Sequence, residues 1–321
     1  MTLNEVGKMA GVSRMTVSRY FNGGYVGEES RAKIEKIVQE TGFRPSAQAK
    51  ALKTRKTETI GVMISSLDSA LLVNVINLLH ASMEAAGYQI LIMRYLQSKQ
   101  LLIQQIRNLI AKGVDGLIVS LVVADDEIKK ELELCPVPVV CFGPMGLEGI
   151  SSVIHDDNSG LALIVDELVK RGHKEIGCLG PDFDSQMSSV RISAIQCEMK
   201  RKGLPVRKDW FLQCRDDTAT HYEIGRRLAA EVISLPSMPT AMIALSDQIA
   251  TGVKVPVQLA ITGYGNIDVG SFLNPALTTV DMNLQEIVDK ITFLLLEQIN
   301  KNQKIVEKIH VKPLLIVRES I

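Results

Sequence analysis

No apolar run in this 321-residue chain approaches the roughly 18 residues that a membrane-crossing helix requires. The opening segment Thr2–Lys8 is polar and holds no secretory apolar core, so a cytoplasmic protein with no membrane partner is expected. The five cysteines, Cys135, Cys141, Cys178, Cys197 and Cys214, are odd in number, widely spaced and without a CxxC pair. That pattern argues against a disulfide framework or a zinc site and predicts reduced, mostly buried thiols. Catalytic signatures are missing as well. There is no GxSxG, HExxH or P-loop, and Gly143-Pro144-Met145-Gly146 lacks the Lys and Ser/Thr of a phosphate loop. His80 and His310 are isolated. His155-Asp156-Asp157 has the residue types of a metal or acid/base site, but Asp157 is placed to cap a helix at Ser159, the simpler reading. No catalytic residue, metal, cofactor or enzyme activity is expected.

Net charge is also lacking, with 36 Lys and Arg against 36 Asp and Glu, yet the balance is uneven. Residues 1–58 carry eleven bases and six acids, leaving 25 bases against 30 acids in the remainder. A basic head on an acidic body points to a polyanion partner for the head.

Within that head three helices are predicted. Thr2 can cap Leu3–Ala10, Gly11 can take a tight turn, and Ser13 can cap a second helix over Arg14–Phe21. The second helix buries Val17 and Phe21 and exposes Arg14, Met15, Ser18 and Arg19. A third, Glu28–Thr41, turns Ile34, Ile37 and Val38 inward and stops at Gly42. A short turn between the first two makes this a helix-turn-helix pattern. The following Pro45–Leu52 is Ala-rich but too short to hold a helix alone in water, so its order must come from a partner. Lys53-Thr54-Arg55-Lys56 reads as a basic tether.

From Thr59 onward apolar strands alternate with amphipathic helices. Strands are expected at Thr59–Ile64, Gln89–Met93, Gly116–Val119, Val137–Cys141, Ile176–Leu179, Met242–Leu245 and Leu259–Thr262. Helices are expected near Leu71–Ala86, Lys99–Lys112, Ile128–Leu134, Ser159–Arg171, Val190–Lys202 and Tyr222–Ser234. This is the pattern of parallel doubly wound α/β sheets. The series repeats from near Asp156, which predicts two similar lobes with a ligand cleft at the strand carboxyl ends.

The residues Leu3-Asn4-Glu5-Val6, Ala10-Gly11-Val12-Ser13, Thr16-Val17-Ser18-Arg19 and Asn22 together resemble the head of the lactose-repressor (LacI/GalR) family. The likeness continues in order through Gly42–Ser46, Ala49 and Leu52, Ile60-Gly61-Val62, Val114–Ile118 and Pro138-Val139-Val140. It runs on through Arg171–Ile176, Arg191, Pro239-Thr240-Ala241 with Asp247, and Pro275–Val280, so it spans essentially the whole chain. Within the family, Leu67-Asp68-Ser69, Asp156-Asp157 and Phe272–Val280 look most like the trehalose repressors.

The resemblance implies a homodimer on a pseudo-palindromic double-stranded operator, and the absence of a heptad tail after Arg318 predicts no tetramer. It places Arg14, Met15 and Arg19 on base edges in the major groove, where a guanidinium can bond guanine bidentately and a thioether can meet a thymine methyl. Thr16, Ser18 and Asn22 suit phosphates, with local capping as the alternative. Ala49, Lys50 and Leu52 would form the hinge helix, with Leu52 wedged into the minor groove.

The implied effector, a sugar or sugar phosphate, would meet Ser65, Ser66, Asp68, Arg191, Ser246 and Asp247 in the cleft. For Ser65, Ser66 and Asp68, loop capping is an equal alternative. Three departures bear on it. Gly265 stands where most members have a ligand-binding aspartate, and Asp216 lies roughly where many present an aromatic ring. The helix after Asp247 is cut short before Pro256, with eleven residues between Leu245 and Val257. Ser66 also replaces an arginine that the trehalose repressors offer to a phosphate.

The expected architecture is α/β: a helix-turn-helix head over 1–45, a hinge and linker over 46–58, and a periplasmic-binding-protein-like sensor over 59–321. Its lobes are about 59–155 with 282–305 and about 156–281 with 306–321. The expected function is a ligand-controlled transcriptional repressor of carbohydrate use. The alternative is a cytosolic solute-binding sensor or regulator whose effector is not a sugar or is a protein.

Overall fold

Polar side chains set the helix starts in the head by taking up amides that have no partner within the helix. In the computed structural model, which describes every residue except 47–50, 52, 53, 55, 97, 123, 124, 183, 217, 218 and 254–258, Thr2 Oγ1 accepts from Glu5 N while a Glu5 carboxylate oxygen accepts from Thr2 N. This reciprocal box opens α1, Leu3–Ala10. Gly11 closes it at φ 66°, a left-handed conformation that glycine adopts without a Cβ penalty. Ser13 caps α2, Arg14–Phe21, and α3 runs Glu28–Thr41 to Gly42. Val6, Val17 and Ile34 are wholly buried, one from each helix, with Ala10, Val26 and Phe43 around them. Gly7 lets the turn close: a Cβ there would lie 2.9 Å from Val12 O, whose residue's amide donates to Gly7 O.

The described residues form two compact units, Met1–Glu58 and Thr59–Ile321. The hinge residues Ala49, Lys50 and Leu52 lie outside the described residues.

The second unit holds two parallel sheets. One contains β1 (Thr59–Ile64), β2 (Gln89–Arg94), β3 (Gly116–Ser120), β4 (Val139–Gly143), β5 (Ser151–His155) and β11 (Lys308–Val311), in the order β11-β5-β4-β3-β1-β2. The other contains β6 (Ile176–Gly180), β7 (Phe211–Gln213), β8 (Ala241–Ala244) and β9 (Ala260–Thr262), in the order β7-β6-β8-β9. Every ladder in both sheets is parallel. The crossover helices of the first lobe are α4 (Ala70–Ala85), α5 (Lys99–Ala111) and α6 (Asp126–Glu133). Those of the second are α7 (Asp157–Lys170), α8 (Gln186–Arg201), α9 (His221–Ile233) and α10 (Asp247–Gly252). The long α11, Leu284–Lys301, packs Ile287, Val288, Ile291, Leu294 and Leu295 into the core.

Several expectations shift. The strand placed at Val137–Cys141 begins at Val139, because Pro138 has no amide for the ladder. β5, β7, β11 and α11 were not foreseen. The share of the chain after 306 is split: β11 completes the first sheet against β5, whereas β12 (Leu314–Ile316) pairs antiparallel with β10 (Thr279–Asp281). Thiol burial is less general than expected, since only Cys141 and Cys178 are buried and Cys197 on α8 is exposed.

The shortened connection after β8 has a physical basis. The brief α10 sits directly on α9, with Gly225 and Gly252 at the crossing. A Cβ on either would collide with backbone, Ile249 O in one case and Tyr222 O in the other. Backbones this close bury Ile224, Leu228, Ile249 and Ala250 together without a third helical turn.

Candidate functional site

On the head, α2 exposes Arg14, Met15 and Arg19 as expected, whereas Ser18 and Phe21 are half-buried. Met15 is 65% exposed, and the helix contains no acid to neutralise the arginines. Thr16, Ser18 and Asn22 bond locally. Ser13 Oγ accepts from Thr16 N at 3.1 Å and lies 2.9 Å from Thr16 Oγ1, while Asn22 Nδ2 donates to Ser18 O at 2.7 Å. These bonds lock both ends of the helix, so the side chains between them are held on a rigid element.

In the second unit the crossing between lobes carries a buried charge cluster. Asp156, not Asp157, is the cap of α7: its Oδ1 accepts from Ser159 N at 3.0 Å, the three-residue spacing that capping requires. Asp157 is one residue too far along to do this and turns inward. Its Oδ2 accepts from Arg191 Nε at 2.9 Å, and its Oδ1 accepts from Tyr264 Oη at 2.5 Å and lies 2.9 Å from His155 Nδ1. Arg191 also donates to Leu245 O at 2.7 Å and lies 4.2 Å from the centre of the Tyr264 ring. Arg191 is in the second turn of α8, since Ser185 caps that helix a turn earlier than expected. Burial alone would raise the Asp157 carboxyl, but the Arg191 guanidinium and the His155 ring outweigh it and hold the group well below the usual carboxylate range. Burial and the Asp157 charge push the Tyr264 phenol well upward, so it stays a donor.

Arg191 is therefore an internal brace, with Nε and one Nη group committed. Asp247 is equally committed. It is 1% exposed, its Oδ2 accepts from Ile267 N at 2.8 Å, and its Oδ1 accepts from Thr279 Oγ1 at 2.5 Å. Burial raises this carboxyl above the ordinary value. Gly263 makes the room, since a Cβ there would strike Asp247 Oδ1. Gly265 sits at φ 127°, a conformation that strains any L side chain, so the missing aspartate cannot simply be put back.

On the first-lobe side, Ser65 is buried at the end of β1, and Ser66 Oγ accepts from Asp68 N at 3.0 Å and donates to Asp68 Oδ2 at 3.1 Å. Ser246 Oγ caps Ile249 N and lies 3.2 Å from His221 Nδ1. Burial, then the Arg191 charge, lowers the His221 ring below its ordinary value. The structure thus brings Arg191, Ser246 and Asp247 together at the carboxyl ends of second-lobe strands, and Ser65, Ser66 and Asp68 at the end of β1.

Sequence reasoning made Asp157 a helix cap, a role that falls to Asp156, and passed over Tyr264, His221 and Gln248. Only Asp157 carried a signal, as the second acid of an Asp-Asp pair with one cap to fill. Among the described residues no group of three or more His, Cys, Asp or Glu could hold a metal, and no helix is long and apolar enough to cross a membrane.

Two family models match in order along the chain. "Bacterial regulatory proteins, lacI family" covers residues 2–46, and "Periplasmic binding protein-like domain" covers 165–321. The HTH-type transcriptional repressor PurR of Vibrio parahaemolyticus is 27% identical over 335 residues, covering 100% of this chain and 98% of that protein. The ribose operon repressor of Escherichia coli K12 is 27% identical over 331 residues, covering 99% of each. A crystal structure of the Lac repressor bound to ONPG in the repressed state has the same fold, with a TM-score of 0.85 at 24% identity over 100% of this chain and 99% of that one. With a lacI-family regulatory head matched at residues 2–46, a periplasmic-binding-protein-like body matched at 165–321 and repressors aligned over essentially the whole length, the chain is similar throughout to LacI-type regulators.

Proposed function

We propose that the chain is a cytoplasmic, homodimeric, sequence-specific DNA-binding transcriptional repressor of a carbohydrate-utilisation operon, controlled by a small molecule bound between the lobes of its second unit. It is not an enzyme in this reading. The observation that carries it is an acid-free helix whose Arg14, Met15 and Arg19 stand exposed, in the same chain as two parallel sheets with polar residues gathered at their carboxyl ends. Arg14, Met15 and Arg19 read base edges, Thr16, Ser18 and Asn22 fix the helix against the phosphate backbone, and the 46–58 segment with Ala49, Lys50 and Leu52 supplies the hinge. Exposed Val73 on α4, Ile92 on β2 and Leu96 just beyond it, with Phe272 on the second lobe, offer apolar surface to a second copy.

The effector in this reading is a sugar or sugar phosphate held by Ser65, Ser66, Asp68, Arg191 and Ser246, with Asp247 acting behind them through Ile267 and Thr279. The ribose operon repressor and a transcriptional regulator CelR in complex with cellobiose are similar proteins whose names carry a sugar. The likeness to trehalose repressors would narrow the effector to a phosphorylated disaccharide. The commitment of Arg191 to Asp157 and of Asp247 to Thr279 favours a second reading, a regulator whose effector is not a sugar.

A panel of sugars and sugar phosphates tested by thermal unfolding of the full-length protein separates the two. A true effector at a hundred times its dissociation constant raises stability by about 2.7 kcal/mol and changes operator affinity. No shift from any compound, with operator binding intact, moves the account to the second reading.

A further inference from the structure

The first turn of α10 is pinned to its own lobe by three contacts: Ser246 with His221, and Asp247 with Ile267 and Thr279. Gln248 is the next residue, and it reaches the other way. Its Nε2 donates to Asp68 O at 3.1 Å, and its Oε1 accepts from Ala70 N at 3.2 Å. Ala70 is the first residue of α4, in the first lobe, so this amide belongs to the set that a helix cannot satisfy internally. Ser69 caps Leu72 N and leaves Ala70 N to the second lobe. A residue from one lobe thus completes the helix cap of the other, beside Ser66 and Asp68. Leu71 packs over Gly265 at the same seam, where a Cβ would lie 3.4 Å from Leu71 Cδ1. Gln248 is 7% exposed, so neither bond is replaced by water while the lobes stay together.

We infer that Gln248 is a positioning residue of the effector response: its carboxamide clasps the Asp68–Ala70 backbone when the lobes close, and this clasp sets the balance between closed and open lobes. The inference rests on the proposed effector cleft. Both bonds span lobes, so any lobe rotation breaks them together, and a residue that biases the two states must change operator affinity and effector affinity through the same equilibrium. Losing the pair shifts that equilibrium about tenfold, the size expected for two ordinary hydrogen bonds.

The test is residue-resolved hydrogen exchange on the full-length protein, comparing wild type, Gln248→Leu and Gln248→Glu. Gln248→Leu keeps the volume and removes both bonds. It is expected to speed exchange at the Ala70 amide about tenfold, to leave exchange at the Leu72 amide unchanged, and to shift affinity for operator DNA. Gln248→Glu keeps the acceptor for Ala70 N and loses the donor to Asp68 O, so Ala70 is expected to stay protected. Unchanged Ala70 exchange in Gln248→Leu, or equal acceleration at all amides with a lower midpoint, overturns the clasp. If Ala70 exchange responds but no variant binds any duplex DNA, the clasp stands and the repressor reading fails instead.

Discussion

Asp157→Asn is expected to destabilise the second unit by about 3–5 kcal/mol, the cost of leaving a buried cation without its counter-ion. The substitution keeps the shape but turns one accepting oxygen into an amide donor, so the loss combines the missing charge with a hydrogen bond from Arg191 Nε or Tyr264 Oη. Arg191 would keep its bond to Leu245 O and its place over Tyr264, but its charge would have no anion in a site from which water is excluded. Denaturant unfolding reads the effect as a lower midpoint. Adding Arg191→Met should recover much of the loss, because removing both charges costs far less than stranding one, and the double-mutant cycle gives the coupling directly. The sign with pH follows from the depressed carboxyl. Its stabilisation is complete above the unfolded-state value of about 3.9 and drains away as pH falls toward the folded value. Wild type and Asp157→Asn therefore converge as pH falls progressively below about 4, and the gap is fully open above it. A gap that stays constant with pH contradicts the charge account.

Arg19→Ala is expected to weaken operator binding by about 1–3 kcal/mol, roughly five- to 150-fold, and to relax preference at one base pair of each half-site. Arg19 lies exposed in the last turn of α2, and Gly24 closes the turn behind it, with Gly24 N donating to Arg19 O at 2.9 Å. The backbone is fixed, so removing the side chain beyond Cβ removes the contact and little else. Competition titrations against duplexes varied at each position report it. A uniform loss across all sequences would instead mark Arg19 as a phosphate contact.

The head was legible almost residue by residue, because its determinants are local. Thr2, Gly11, Ser13 and Gly42 act within four residues of where they stand. Of the parallel strands, β1, β3, β4, β6 and β8 were legible for a related reason, since segments buried on both faces read as continuous apolar runs. Ser151–His155 escaped because Ser151, Ser152 and His155 give it no such run, although all five of its residues are buried. The site was harder. Asp157 meets Arg191 34 residues later and Tyr264 107 residues later, and only the fold brings them together. Gln248 lies 180 residues from Asp68 and nothing in its neighbourhood marks it. The Gly265 departure was visible in sequence, but its φ was not, and the φ means that any side chain placed there would be strained.

Enrichment of DNA duplexes from a random pool by the full-length protein, followed by titration of the enriched duplex across a salt series, tests the central claim most directly. The account predicts a pseudo-palindromic consensus and, for about six to ten phosphate contacts, an affinity that falls roughly 10³- to 10⁵-fold between about 50 and 200 mM salt. No consensus, or binding that is indifferent to salt, would contradict it.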